Sequence, residues 1–190
     1  MHRVDRQIPV GETLRALDDL IQQGKVRYIG ASNFDALHLC EAEWTSIAKN
    51  LNRFVSVQNY HNLLKRDIER ELTPFCEAYE VGIIPFFPLE SGFLTGKYRR
   101  GEAAPEGTRL NSSQRGYELL TDANFDILDK LESFAQQRDH SLLDLAIAGL
   151  AAQPAVASII ANAAAEWALS SEYCDPLDAM VGSSHPDRRS

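Results

Sequence analysis

Apolar residues recur at helical spacing at Leu14, Leu17, Leu20 and Ile21, between Pro9 and Gly24, and predict an amphipathic helix. A short strand is expected over 26–30. Leu37, Leu39, Cys40, Trp44 and Ile47 then mark a second helix, with Asp35 near its start. "RFVSVQ" is rich in β-branched residues and reads as a strand ending near Gln58. "DIERELTPFCEAYE" reads as a helix in which Pro74 threatens a kink, and "VGIIPFF" as a strand. "NFDILDKLESFAQQRD" and "SLLDLAIAGLAAQ" are two helices, the second capped by Ser141 with Asp144 three residues on. "AVASIIA" is a final strand with a helix beyond it, and 99–121 reads as loop.

The order is α-β-α-β-α-β-α-α-β-α. Strands separated by helices imply an α/β fold with parallel strands and right-handed crossovers. The nearly continuous apolar strands suggest burial on both sheet faces. An open doubly wound sheet and part of a (β/α)8 barrel both fit. In either, ligands gather at the C-terminal strand ends, where Ser32 and Asn33 follow one strand and Gln58 and Asn59 close the next.

Composition adds limits. The chain has 190 residues, 44% hydrophobic and 24% charged, which suits one globular domain over 1–181 with a disordered tail at 182–190. A net charge of −8 argues against nucleic acid or an anionic membrane as partner. Cys40, Cys76 and Cys174 show neither a disulfide framework nor a zinc spacing, and read as thiols in a reducing cytoplasm. No apolar leader or membrane span is visible, so a cytoplasmic protein is expected.

GxGxxG, Walker, GxSxG and HExxH motifs are absent, and the five histidines are scattered, so no metal is expected. What stands out is the strand ends taken together. The side chains of Ser32, Asn33 and Gln58 suit a carboxamide, which donates and accepts at once. Phe86 or Phe87 could stack on a flat ring. The turn at Ser91 and Gly92 could bring backbone N–H groups to a phosphate, with Lys97 adding charge.

"ETLRALDDLIQQGKVRYIGASNF", "FVSVQNYHNLLKRDIERELTPFCEAYEVGIIPFFPLESGFLTGKY" and "SLLDLAIAGLAAQPAVASII" together resemble the aldo-keto reductase family, in its order and at about its spacing. The resemblance implies part of a (β/α)8 barrel with about four parallel strands. It also implies NADP(H) bound without a Rossmann motif, and reduction of aldehydes or ketones by hydride transfer. By this resemblance Ser32, Asn33 and Gln58 grip the nicotinamide carboxamide, and Phe86 takes the place of the usual stacking Tyr. Leu89 and Ser91 lie at the pyrophosphate turn. Asn162 matches an adenine-contacting Asn. "MHRVD" resembles the segment that carries the family's active-site histidine, which makes His2 the catalytic candidate.

The family's Asp, Tyr and Lys belong to the first half of the barrel, and the resemblance places this chain in the second half. No Asp here is followed five residues later by Tyr. The stretch around Asn162 looks about ten residues shorter than the family pattern, a loop and a helical turn. Loss of charge-assisted phosphate contacts, on the order of 1.5–3 kcal/mol each, would leave NADP(H) binding weak or absent. Four strands would also leave edges and an inner face to cover, so a second copy or a complementing chain is expected as partner, and poor solubility as a monomer. The alternatives are a non-catalytic nucleotide-binding or interaction module and a decayed gene product.

Overall fold

A computed structural model of the chain describes residues 1–111, 113–161 and 174–181. Three parallel strands form the sheet in the order β1 (Ile29–Ser32), β2 (Phe54–Tyr60), β3 (Gly82–Phe86). Helices α1 (Val10–Gln22), α2 (Ala36–Lys49) and α3 (Leu72–Ala78) precede or connect them. β1 starts three residues later than the sequence pattern suggests. Val26 and Tyr28 stay exposed, and pairing begins only where Ile29 meets Phe54.

The segment expected as a fourth strand runs beside β3 in the parallel sense. Ile83 donates its N–H to Ala155 O at 2.7 Å, and Ala157 donates to Ile83 O at 2.9 Å. The ladder stops after this single bridge between Ile83 and Val156. The next residue of β3 facing that side is Pro85, which has no N–H to give. It only accepts, from Ile160 N at 3.3 Å. The observed sheet therefore has three strands and an irregular fourth member, as in part of a (β/α) barrel.

One sheet face is packed and the other is not, which corrects the expectation of burial on both. Ala31, Val57 and Ile83 are buried against Leu14 of α1, Leu39 and Ala42 of α2, and Leu72 and Cys76 of α3. The register puts Ser32, Gln58 and Ile84 in one row of the opposite face, and Tyr60 and Phe86 in the next. Most of this second face is half-buried. Gly30 sits there because a Cβ would come within 2.6 Å of Ser56 Oγ.

The α2 pattern also divides differently from its reading. Leu39, Ala42 and Ser46 face the core, whereas Leu37, Trp44 and Ile47 are exposed. Asp35 does cap this helix, accepting from His38 N at 2.8 Å. The stretch before β3 splits into a 3-10 turn (Asp67–Arg70) and α3. Pro74 lies in the first turn of α3, where an N–H has no partner in the helix to lose. Cys76 is a core thiol, and burial pushes it up to about 12.

A second core gathers Phe93 and Leu94 of the 3-10 turn Glu90–Thr95 with α5 (Asp122–Gln136) and α6 (Leu142–Ala151). Ser141 and Asp144 form the expected capping box of α6. The region 99–121 is not all loop. It holds α4 (Gln114–Leu119), capped by Ser113, whose hydroxyl accepts from Gly116 N at 3.0 Å. A last helix, α7, spans Cys174–Val181. Among the described residues no helix is long and apolar enough to cross a membrane. Asn162 and the tail 182–190 lie outside the described residues.

Candidate functional site

The parallel sheet sends its C-terminal ends to one side, and the candidate residues collect there. Ser32 ends β1, and its hydroxyl donates to Gln58 O at 2.9 Å. Asn33 follows at φ 55°, a left-handed backbone that Asn tolerates better than most residues. This bend returns its N–H to Gln58 O at 3.0 Å. Its side-chain amide donates to Ser32 Oγ and to His2 O, both at 3.0 Å. His2 therefore meets the site through its carbonyl, and its residue is exposed.

Phe86 ends β3 opposite Tyr60. Their rings stack with centroids 5.6 Å apart and planes 15° from parallel. The chain beyond Phe86 then turns through a run of left-handed conformations at Phe87 (54°), Glu90 (46°), Ser91 (58°) and Gly92 (90°). Such backbone is strained for side-chain-bearing residues and persists where the surroundings over-determine it. At Gly92 a Cβ would fall 2.8 Å from the Lys97 Nζ, so glycine lets that amine lie against the turn.

Phe86, Leu89, Ser91 and Lys97 line one cleft of about 620 Å³, within the usual range for small-molecule sites. Thr108 and Arg109 complete its wall from the segment before α4. The sequence reading missed both, because they lie in the stretch expected to be loop and match no motif. The cleft is apolar at Phe86 and Leu89 and cationic at Lys97 and Arg109. Ser32, Asn33 and Gln58 do not line it. Asn33 and Tyr60 instead border a separate pocket of about 370 Å³. Among the described residues no cluster of His, Cys, Asp or Glu could hold a metal.

Behind the cleft lies a polar cluster that the sequence did not announce. The Glu90 carboxylate is 1% exposed. It accepts from Tyr60 Oη at 2.5 Å, Asn62 Nδ2 at 2.6 Å and Arg115 Nη2 at 2.7 Å. Arg115 also donates to Tyr60 Oη. Burial, and then the hydrogen bond to Glu90, pushes the Tyr60 phenol above its ordinary value. A buried carboxylate needs such donors, since an unpaired charge there is prohibitively costly.

The fold agrees with comparison to known proteins. The model of the aldo/keto reductase family matches residues 1–171. The chain belongs to that family. The versiconal hemiacetal acetate reductase of Aspergillus parasiticus is 33% identical over 160 residues, 84% of this chain and 47% of that protein. A candidate aryl-alcohol dehydrogenase of Schizosaccharomyces pombe is 38% identical over 149 residues, 78% of this chain and 42% of its own length. An aldo-keto reductase of Fusarium vanettenii is 37% identical over 153 residues, 79% of this chain and 40% of that relative. The aldo/keto reductase chain thus spans less than half the length of these relatives.

Proposed function

We propose that this aldo/keto reductase chain forms the nicotinamide-nucleotide side of an NADP(H)-dependent carbonyl reductase. The observation that carries the reading is the composition of the cleft, which brings together a flat aromatic, two cations and a left-handed turn. A dinucleotide has parts to match these, a ring and phosphates. The close approach of the Lys97 amine to the backbone at Gly92 supports that fit. In this reading Phe86 offers its ring to the nicotinamide, and Leu89, Ser91 and Lys97 hold the pyrophosphate with Arg109. Ser32, Asn33 and Gln58 lie outside this cleft and take the carboxamide if the nicotinamide reaches past Phe86 to the strand ends, for which Asn33 must exchange a present hydrogen bond. Asn162 would meet the adenine. The bound nucleotide supplies hydride to the carbonyl carbon of an aldehyde or ketone.

The proton that such a reduction also needs is harder to find. The tyrosine stacked on Phe86 gives its hydrogen to Glu90 and is held above its ordinary pKa, so it is a poor acid near neutral pH. We assign His2 to orienting the carbonyl, and the acid to a Tyr with its Lys and Asp outside this chain, on a complementing half or a longer product. The same observation favours, as second reading, a nucleotide-binding module without chemistry of its own.

The test is a titration of the purified protein with NADPH, followed by reduced-nicotinamide fluorescence. Saturable but weak binding is expected. Well-folded protein that leaves the signal unchanged overturns the proposal. NADPH consumption in the presence of simple aldehydes then separates a reductase from a binding module.

A further inference from the structure

Three aromatic rings and one guanidinium are packed together beside the cleft. Phe86 stacks on Tyr60, and Phe87 meets both edge-on, with centroids 5.6 and 5.8 Å away. The Arg115 guanidinium carbon lies 4.6 Å from the Phe87 ring centre and 5.2 Å from that of Tyr60. The same guanidinium donates to Glu90 and to Tyr60 Oη.

We propose that Arg115, acting through Glu90 and Tyr60, is a positioning residue for the nucleotide cleft. It holds the ring platform at Phe86 and the left-handed turn 87–92 in their binding geometry. This deepens the nucleotide reading and rests on it for the identity of the ligand.

Several features support a role beyond attaching α4. Phe86 has Tyr60 stacked on it and also lines the cleft, so whatever sets the Tyr60 plane sets the platform. The turn is held at Phe87 and at Glu90 from the same cluster. Asn62 Nδ2 donates to Phe87 O at 3.0 Å and to Glu90 at 2.6 Å. At and just beyond these points the backbone is left-handed, at Phe87, Glu90, Ser91 and Gly92, a conformation that needs outside support. Arg115 closes the arrangement from α4, which follows directly on the segment that brings Thr108 and Arg109 to the cleft wall. One side chain thus couples the aromatic residues of the cleft to the segment that carries Arg109. Only arginine stacks on rings and donates in a fixed fork at once, so lysine is not an equivalent.

The test compares wild type with Arg115→Lys, Arg115→Met and Glu90→Gln, with Ser141→Ala as a control destabilised far from the cleft. NADPH affinity, thermal midpoint and amide exchange over 86–92 are measured on each. Arg115→Lys and Arg115→Met are expected to weaken NADPH by about tenfold or more and to speed exchange over 86–92. Glu90→Gln combined with Arg115→Met should add little to Arg115→Met alone, since both disable one unit. Ser141→Ala should lower the midpoint and leave affinity unchanged. Should Arg115→Met not fold, Arg115→Lys decides. Wild-type affinity and exchange in Arg115→Lys overturn the proposal. If wild type binds no NADPH, the nucleotide reading falls, and exchange alone decides the positioning claim: unchanged protection over 86–92 in Arg115→Lys sinks it.

Discussion

Phe86 has Tyr60 stacked on it and borders the cleft, so its ring is fixed before any ligand arrives. A preset flat surface costs little to order on binding, which is where an aromatic contributes most. Phe86→Ala should therefore weaken NADPH by roughly tenfold, whereas Phe86→Tyr should stay within about twofold. Fluorescence titration of the two variants checks this, and unaltered binding by Phe86→Ala would remove the ring from the site. The strand-end places of Phe86, Ser32 and Asn33 were legible in the sequence because a strand end is a local feature. Glu90 and Arg115 were not, because their bond spans 25 residues and needs α4, whose short pattern hides among Gly and Ser. Leu37, Trp44 and Ile47 marked α2 correctly and yet lie exposed, because apolar spacing marks a helix without saying that a core lies against each position.

Among the elements, the turn Asp67–Arg70 shows how charge is used to join distant pieces. Glu69 is buried, and its carboxylate takes Arg66 Nε at 2.8 Å, Arg66 Nη2 at 2.6 Å and Gln153 Nε2 at 3.1 Å, with His61 Nε2 2.9 Å away. Arg66 continues to Asp178 of α7 at 2.6 Å. Burial pushes the Glu69 carboxyl up, but the hydrogen bonds from His61 and Arg66 and their charge outweigh it and hold the group at about 2, below an ordinary 4.5. A depressed carboxylate contributes stability that is full above its unfolded value and lost as pH falls through its folded one. The thermal midpoint should accordingly drop between pH 4.5 and about 2. Glu69→Gln should melt lower at neutral pH and lose much of that acid slope, and an equal slope in both proteins would assign it elsewhere. A separate check lies at α6. Ser141→Ala should cost about 1 kcal/mol through loss of the cap, or about 2–4 °C in the midpoint. The capping box was readable because it is four residues long. The buried Glu69 cluster was not, since its members come from the segment after β2, the turn Asp67–Arg70, the loop after α6 and α7.

For the whole molecule, the alternation of helices and strands gave the parallel α/β order directly. It did not give the one-sided burial of the sheet, although β2 carries the signal: Ser56, Gln58 and Tyr60 alternate with Val57 and Asn59. The short strands read as apolar runs, and their half-buried face carries the polar and aromatic candidate residues instead. The packing that results is two cores, one under the sheet and one around α5 and α6. The cleft draws on both neighbourhoods. Phe86 comes from the sheet, while Arg109 sits beside Leu110 and Lys97 beside Tyr98, both buried in the second core. A ligand spanning the cleft would tie the cores together and should stabilise the chain as one unit. Binding linkage sets the size of the effect, about 2.7 kcal/mol when NADPH stands at a hundred times its dissociation constant. For a chain of this length that is an upward shift of roughly 5–10 °C, growing with the logarithm of NADPH concentration. Calorimetry at several NADPH concentrations reads it directly. A midpoint that ignores NADPH, in protein shown to be folded, would mean that the two cores meet across this cleft for packing alone.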